Sequence, residues 1–255
     1  MYRYTSRKAG IATACTGLAL LLCSSTPLLA ADSDWEWEGT VYAWGAQMNV
    51  ETPAGHSLDL PFYKILDTLQ MTLMGEIAAR NDKWSFTTDL IYLDIKQDGH
   101  REASGPGPIN PSISGSIGLT SWIVTPTVGY ALNNSEKARV EIFGGLRYLS
   151  LEAQVRVDRG NLIDFNQSAS KDYTDGVIGM RANINLDEKW FMPLYADIGG
   201  GSSDGTWQAQ AGIGYHFSKV STSLTYRYLD YEFDDNPAMA ELVTKGLVGS
   251  ISFKF

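Results

Sequence analysis

The sequence predicts an all-β fold: a transmembrane, antiparallel, up-and-down β-barrel of ten strands, with eight as the alternative count. Three observations predict it. The chain ends on LVTKGLVGSISFKF, residues 242–255, which alternates an apolar face against a small or polar one up to its last residue. Past the N-terminal segment no stretch approaches 18 uninterrupted apolar residues, so a membrane-spanning chain would have only strands to cross with. Connections between the strand-like stretches alternate long and short, an asymmetry that membrane barrels have and soluble sandwiches do not need.

Residues 1–31 read as an export signal. Arg3, Arg7 and Lys8 form a basic start, residues 11–23 an apolar run, and Ala30 and Ala31 a small-residue cleavage region. Residues 32–255 are then the barrel domain. Both cysteines, Cys15 and Cys23, leave with the signal, so the mature chain has no thiol, disulfide or thiolate metal ligand. Its removal takes three bases and no acids, moving the formal charge from −9 to −12. An exported, acidic chain argues against nucleic-acid partners.

The strands follow in order. Residues 36–49 form the first, with a long loop at 51–66. Residues 69–80 set Leu69, Met71, Leu73, Gly75 and Ile77 against Gln70, Thr72, Met74, Glu76 and Ala78. After the tight connection Asn81-Asp82-Lys83, residues 84–96 set Trp84, Phe86, Thr88, Leu90 and Tyr92 against Ser85, Thr87, Asp89 and Ile91. A Gly/Pro/Ser-rich loop spans 98–116. Strands at 117–132 and 138–155 flank the turn 133–136, and a polar loop spans 158–171. Strands at 172–186 and 190–200 flank the turn 187–189. The glycine-rich connection 199–205 leads to strands at 206–217 and 220–232, then a loop at 234–241 and the closing strand. Long connections fall on one end and short ones on the other, which expects both termini on the short-turn, periplasmic side.

Two echoes mark the interfaces. RNDKW (80–84) and LDEKW (186–190) place Trp84 and Trp190 on the lipid face just after a short turn. IYLD, RYLS and RYLD place Tyr92, Tyr148 and Tyr228 near the opposite strand ends. These are the positions of two aromatic belts, although Trp and Tyr also favour strands in general.

Opposite parity points Glu76, Arg80, Asp89, Glu141, Arg147, Asp175, Arg181, Asp197 and Arg227 inward. Five acids and four bases inside a narrow barrel predict an ion-pair and hydrogen-bond network that fills it. A wide water-filled pore is not expected; a narrow path for small solutes is the other reading.

Catalytic constellations are scarce. His216 falls at the short-turn end, and His56 and His100 in outer loops. Asp94 and Asp230 lie near the outer rim with outward parity. Ser150 has no histidine beside it in sequence, and no GxSxG or HExxH occurs. The GGGSSDG run lacks a phosphate-loop lysine and precedes a strand. Asp230, Glu232, Asp234 and Asp235 could draw divalent cations, but their spacing matches no cation loop. No cofactor or metal is expected. The alternatives are a rim-site enzyme, of the omptin protease or lipid-modifying kind, and a soluble lipocalin-like barrel with its apolar face inward.

The terminal FKF resembles the carboxy-terminal signature of bacterial outer-membrane barrels, in which Phe255 would be the assembly signal. ILDTLQ (65–70), RNDKW, DLIYLD (89–94), WQAQAGIGYHF (207–217) and YRYLDYEF (226–233) together resemble a family of largely uncharacterised proteobacterial outer-membrane barrels, similar in plan to the small outer membrane protein A and W types. The resemblance implies outer-membrane lipid and lipopolysaccharide as surroundings, and the barrel-assembly machinery as a partner through the last strand. It implies envelope structure, narrow transport or surface contact rather than catalysis.

Overall fold

Alternation of apolar and polar residues along each segment leaves one pleated face to bury and one to expose, and eleven strands form on that pattern. The computed structural model describes residues 35–51, 57–63, 69–102, 112–158, 164–234 and 239–255. The export segment, His56 and Asp235 lie outside them. The strands are β1 (Glu36–Glu51), β2 (Ser57–Leu60), β3 (Leu69–Arg80), β4 (Trp84–Glu102), β5 (Ser112–Asn134), β6 (Ala138–Asp158), β7 (Asp164–Asn185), β8 (Trp190–Gly201), β9 (Gly205–His216), β10 (Val220–Glu232) and β11 (Glu241–Lys254).

From β3 to β11 each strand pairs antiparallel with the next, β3 pairs with β1, and β11 returns to β1 from Glu38↔Lys254 to Glu51↔Glu241. Ten strands therefore close a barrel, and β2 is a short annex paired with Met48–Glu51. Closure satisfies the backbone groups that an open edge would leave unpaired.

The outside is apolar. Val41, Ile77, Phe86, Leu146, Ile178, Ile198, Leu224, Leu247 and Ile251 are all exposed, while Met74, Ser85, Thr87, Glu141, Val177, Gln208, Thr225 and Val248 are buried. Such a surface suits hydrocarbon, and the inverted arrangement of a soluble lipocalin-like barrel is excluded. The fold is a ten-stranded transmembrane β-barrel.

At one end the connections are tight. Asn81 N donates to Trp84 O, Ser135 N to Ala138 O, Leu186 N to Trp190 O and Phe217 N to Val220 O. The opposite, long-loop end differs from expectation. Strands β4 to β7 run 19 to 23 residues, about twice what a bilayer needs. Much of 98–116 and 158–171 is therefore strand rather than loop.

One line of pairing is incomplete. β1 pairs with β3 only from Glu36↔Arg80 to Val41↔Gly75, and beyond that point the two strands part. A β-carbon on Gly75 would lie 2.9 Å from the Thr40 carbonyl oxygen, so the close approach that precedes the divergence needs glycine there.

Candidate functional site in the barrel interior

The interior is layered, and the layers follow strand order. Nearest the short-turn end, Arg80 Nη1 donates to Glu38 Oε1 at 2.9 Å and its Nη2 lies 3.7 Å from Glu76 Oε1. The next layer centres on Glu141. Ser85 Oγ donates to it at 2.8 Å, Arg139 donates to its other oxygen, and Arg181 pairs with it at 3.1 Å. Arg181 also donates to Thr87 and Thr127, each at 2.9 Å, and lies over the Phe143 ring. Gly129 makes room for this cluster, since a β-carbon there would meet Ser85 Oγ at 2.4 Å.

Higher up, Arg227 bridges the barrel. Its Nη2 donates to Asp89 Oδ2 at 2.7 Å and to Gln208 Oε1 at 3.0 Å, and its Nη1 to Tyr42 Oη at 3.2 Å. Tyr42 in turn donates to Asp89 at 2.6 Å. The next layer is Arg147, wholly buried, paired with Asp197 and donating to Thr206 Oγ1 at 3.2 Å. Asp175 pairs with no arginine among the described residues. It accepts from Ser203 N at 2.9 Å and from Ser203 Oγ at 2.8 Å, tying the β8–β9 connection to the barrel wall.

Beyond these layers the interior turns apolar. On β1 inward Tyr42 is followed by Trp44 and Ala46; on β4 Asp89 by Ile91, Leu93 and Ile95; on β6 Arg147 by Leu149; on β10 Arg227 by Leu229 and Tyr231, with Phe233 just past the strand. These join Met74, Ile123, Tyr173, Leu242 and Val248 in one buried cluster, and Leu93 and Ile95 pack with Met48 in a second. The long-loop half of the barrel is thus lined by hydrocarbon, beneath which lies a polar, hydrogen-bonded floor. Parity alone picks out the inward polar residues. The apolar half was equally inward by parity, but an apolar residue on an inward face of a membrane barrel looks like a lapse of pattern until its neighbours across the lumen are known.

The aromatic residues near the strand ends form cross-strand pairs. Trp84 meets Tyr130 edge-on at 5.0–5.1 Å between centroids, as Trp190 meets Tyr215. Tyr92 lies 4.3 Å from Trp122, and Tyr228 stacks on Trp207 at 4.6 Å. Tyr148 Oη donates to Asp172 at 3.1 Å. Asp230 keeps its outward parity yet is buried, accepting from Tyr228 Oη at 3.2 Å. The two turn echoes share one geometry. Asn81 Oδ1 accepts from the amides of Lys83 (2.9 Å) and Trp84 (2.7 Å), and Asp187 Oδ1 from those of Lys189 and Trp190, both at 2.7 Å.

Nothing here assembles a catalytic triad among the described residues. His216 stacks on Phe191, and its Nδ1 lies 2.8 Å from Ser221 Oγ at the short-turn end. Among the described residues no carboxylate hydrogen-bonds that imidazole to orient it as a base. Ser150 is paired by register with Trp122 and Asp172, not with a histidine. His100 falls within β4 rather than in a loop. No group of three or more metal-ligating side chains occurs among the described residues.

Fold and lining together define the class: an integral β-barrel of the outer-membrane type, with an apolar exterior and a packed lumen. No family model and no curated protein matches the chain. Among solved structures it is similar to the translocator domain of the autotransporter NalP from Neisseria meningitidis, at TM-score 0.52 and 11% identity over 89% of this chain and 90% of that one. It also aligns with Ail, the attachment invasion locus protein of Yersinia pestis, at TM-score 0.38 and 14% identity over 87% and 98%. Neisserial surface protein A aligns at TM-score 0.34 and 13% identity over 88% and 98%. The likeness to the NalP domain is one of fold alone.

Proposed function

We propose that the chain is a non-catalytic protein of the bacterial outer membrane whose lumen is closed to water. It stands in lipid and lipopolysaccharide, with its short turns and both termini in the periplasm and strands β4–β7 projecting from the cell surface. The observation that carries this reading is the Arg227–Asp89–Tyr42–Gln208 bridge, which links β10, β4, β1 and β9 across the lumen. Arg227 and Asp89 are both largely buried. Paired, hydrogen-bonded charges packed with the layers above and below leave side chains where a water column would run. The role is then envelope structure or surface contact. Phe255, exposed on the lipid face with its amide bonded to Trp37 O at 3.0 Å, is the candidate contact for the barrel-assembly machinery.

Planar-bilayer recording tests this reading. The refolded mature chain is expected to give no steady ion conductance, and Arg227→Ala combined with Arg147→Ala to give measurable openings. Stable conductance from the unaltered chain would refute the closed lumen and favour a narrow pore for small solutes.

A further inference from the structure

The short-turn end carries a lysine at every corner. Lys83, Lys137, Lys189 and Lys219 each stand immediately before the strand that follows a turn, and Lys254 ends the last strand. The ladder continues through them. Ala131 N donates to Lys83 O, Asn185 N to Lys137 O and His216 N to Lys189 O, each at 2.8 Å, and Lys254 N to Lys219 O at 3.4 Å. Residues bonded in this way across an antiparallel pair lie directly opposite and share one face of the sheet. The partners lie on the lumen face: Ala131 is paired with Glu141, Asn185 with Phe191, His216 with Ser221 and Lys254 with Glu38. All five lysines therefore fall on the inward face of the short-turn rim.

The two kinds of cation are used differently. The lumen arginines Arg80, Arg139, Arg147, Arg181 and Arg227 each have a carboxylate partner. The five rim lysines are exposed and make no ion pair among the described residues. Asp82, Glu136 and Glu188 stand one residue before Lys83, Lys137 and Lys189, so alternation turns them off that face. Asp187 is committed to the amides of Lys189 and Trp190. Glu36 shares the lysines' face, opposite Arg80. Beneath the rim the first layer is already closed by Arg80 on Glu38. A ligand held by the lysines would lie across the mouth, not down the lumen.

We propose that this lysine ring docks a carboxylate-rich peptide segment of a soluble periplasmic protein across the mouth of the barrel. Lys83, Lys137, Lys189 and Lys219 stand on alternate strands, β4, β6, β8 and β10, and so lie about 10 Å apart along the rim. A single phosphate reaches one corner only, whereas acidic side chains about three residues apart in an extended peptide match that spacing. Lysine, a compact charge on a flexible stem, suits such many-point contact without the fixed fork that arginine brings. Lipid headgroups meet the other face of the wall, where Trp84 and Trp190 are exposed. The partner's compartment rests on the outer-membrane reading above. The binding itself does not, and a conducting lumen would leave the ring intact.

The test is fluorescence anisotropy of a labelled oligoglutamate peptide with the refolded mature chain in zwitterionic micelles at low salt. The chain is acidic overall, so net charge repels this probe and binding must come from a local site. Saturable binding that weakens as salt rises is expected, with carbodiimide crosslinks from the peptide to Lys83, Lys137, Lys189, Lys219 and Lys254. Replacing all five with glutamine should weaken binding about tenfold or more. Lys171→Gln with Lys245→Gln, away from the short turns, should leave it unchanged. Heat-modifiable migration shows that each variant is folded; if the fivefold variant fails it, the crosslink map of the unaltered chain decides. A heat-modifiable chain that binds no peptide would overturn this proposal and leave the membrane reading standing. Crosslinks spread evenly to Lys171 and Lys245 would overturn it too. So would displacement of the peptide by phosphatidylglycerol added to the micelles, which would mark the ring as a headgroup site.

Discussion

Arg227 and Asp89 stand 138 residues apart in the chain and meet at 2.7 Å inside the barrel. The contact joins β10 to β4, strands that share no backbone pairing. It holds because both charges keep further partners: Arg227 reaches Gln208 and Tyr42, and Asp89 accepts from Tyr42. A buried pair of this kind is costly to break one-sidedly and cheap to replace whole. Arg227→Leu alone should destabilise the refolded barrel by about 3–5 kcal/mol, whereas Arg227→Leu with Asp89→Leu should recover most of that loss. Urea unfolding in lipid vesicles, followed by tryptophan fluorescence, reads both. Equal stability of the single and double variants would show that the pair contributes no coupling.

Gly129 gives a second test, of packing rather than charge. Its missing side chain is where Ser85 Oγ, Glu141 Oε2 and Arg181 Nη2 converge. Gly129→Val should displace that cluster and cost about 1–3 kcal/mol, as overpacking does elsewhere. The outward Gly144, where a β-carbon would meet only the Val177 carbonyl oxygen at 3.7 Å, should accept alanine with little effect. The same unfolding assay separates them.

The short turns predict a pH signature. The amides of Trp190, first, and Lys189 hold the Asp187 carboxyl below its ordinary range. Its folded pKa is depressed, so the turn's contribution is present above the unfolded value of about 3.9 and lost as pH falls through the lower folded value. A carboxyl-carbon NMR titration should place the Asp187 midpoint below that of an unstructured aspartate. Asp187→Asn should keep the turn, because Asn81 makes the same two bonds without charge, and should abolish the titration. An unshifted midpoint would contradict the turn geometry.

His56 and His100 bear on catalysis. If the chain is not an enzyme, replacing both with alanine should leave folding and envelope function unchanged in complementation of a deletion strain. Loss of function with the barrel still heat-modifiable would revive a rim-site enzyme.

Much of the barrel was legible because period-two alternation is a local signal. Leu247, Ile251 and Phe253 against Thr244 and Val248 can be read from one strand, and the same parity marks Asp89, Arg147 and Arg227 as inward. What a single strand cannot carry is register. That Trp84 meets Tyr130, or that Arg181 reaches Thr127 beside Phe143, depends on which residues neighbouring strands place side by side. Glu38, Ser85 and Arg139 join the network only through register, which no single strand shows. The strand extensions of β4–β7 look like loops in the sequence, because a polar stretch has the same composition whether its backbone is paired or not. The parting of β1 from β3 has no signature beyond Gly75.

The central claim is that the apolar face points outward into a membrane. Fractionation with gel heat-modifiability tests it most directly: the chain is expressed with its export segment, envelope fractions are separated, and boiled and unboiled samples are compared. The account predicts recovery in detergent-extracted outer membrane and a faster-migrating unboiled form. A protein released as soluble periplasmic material, with one mobility in both samples, would contradict it.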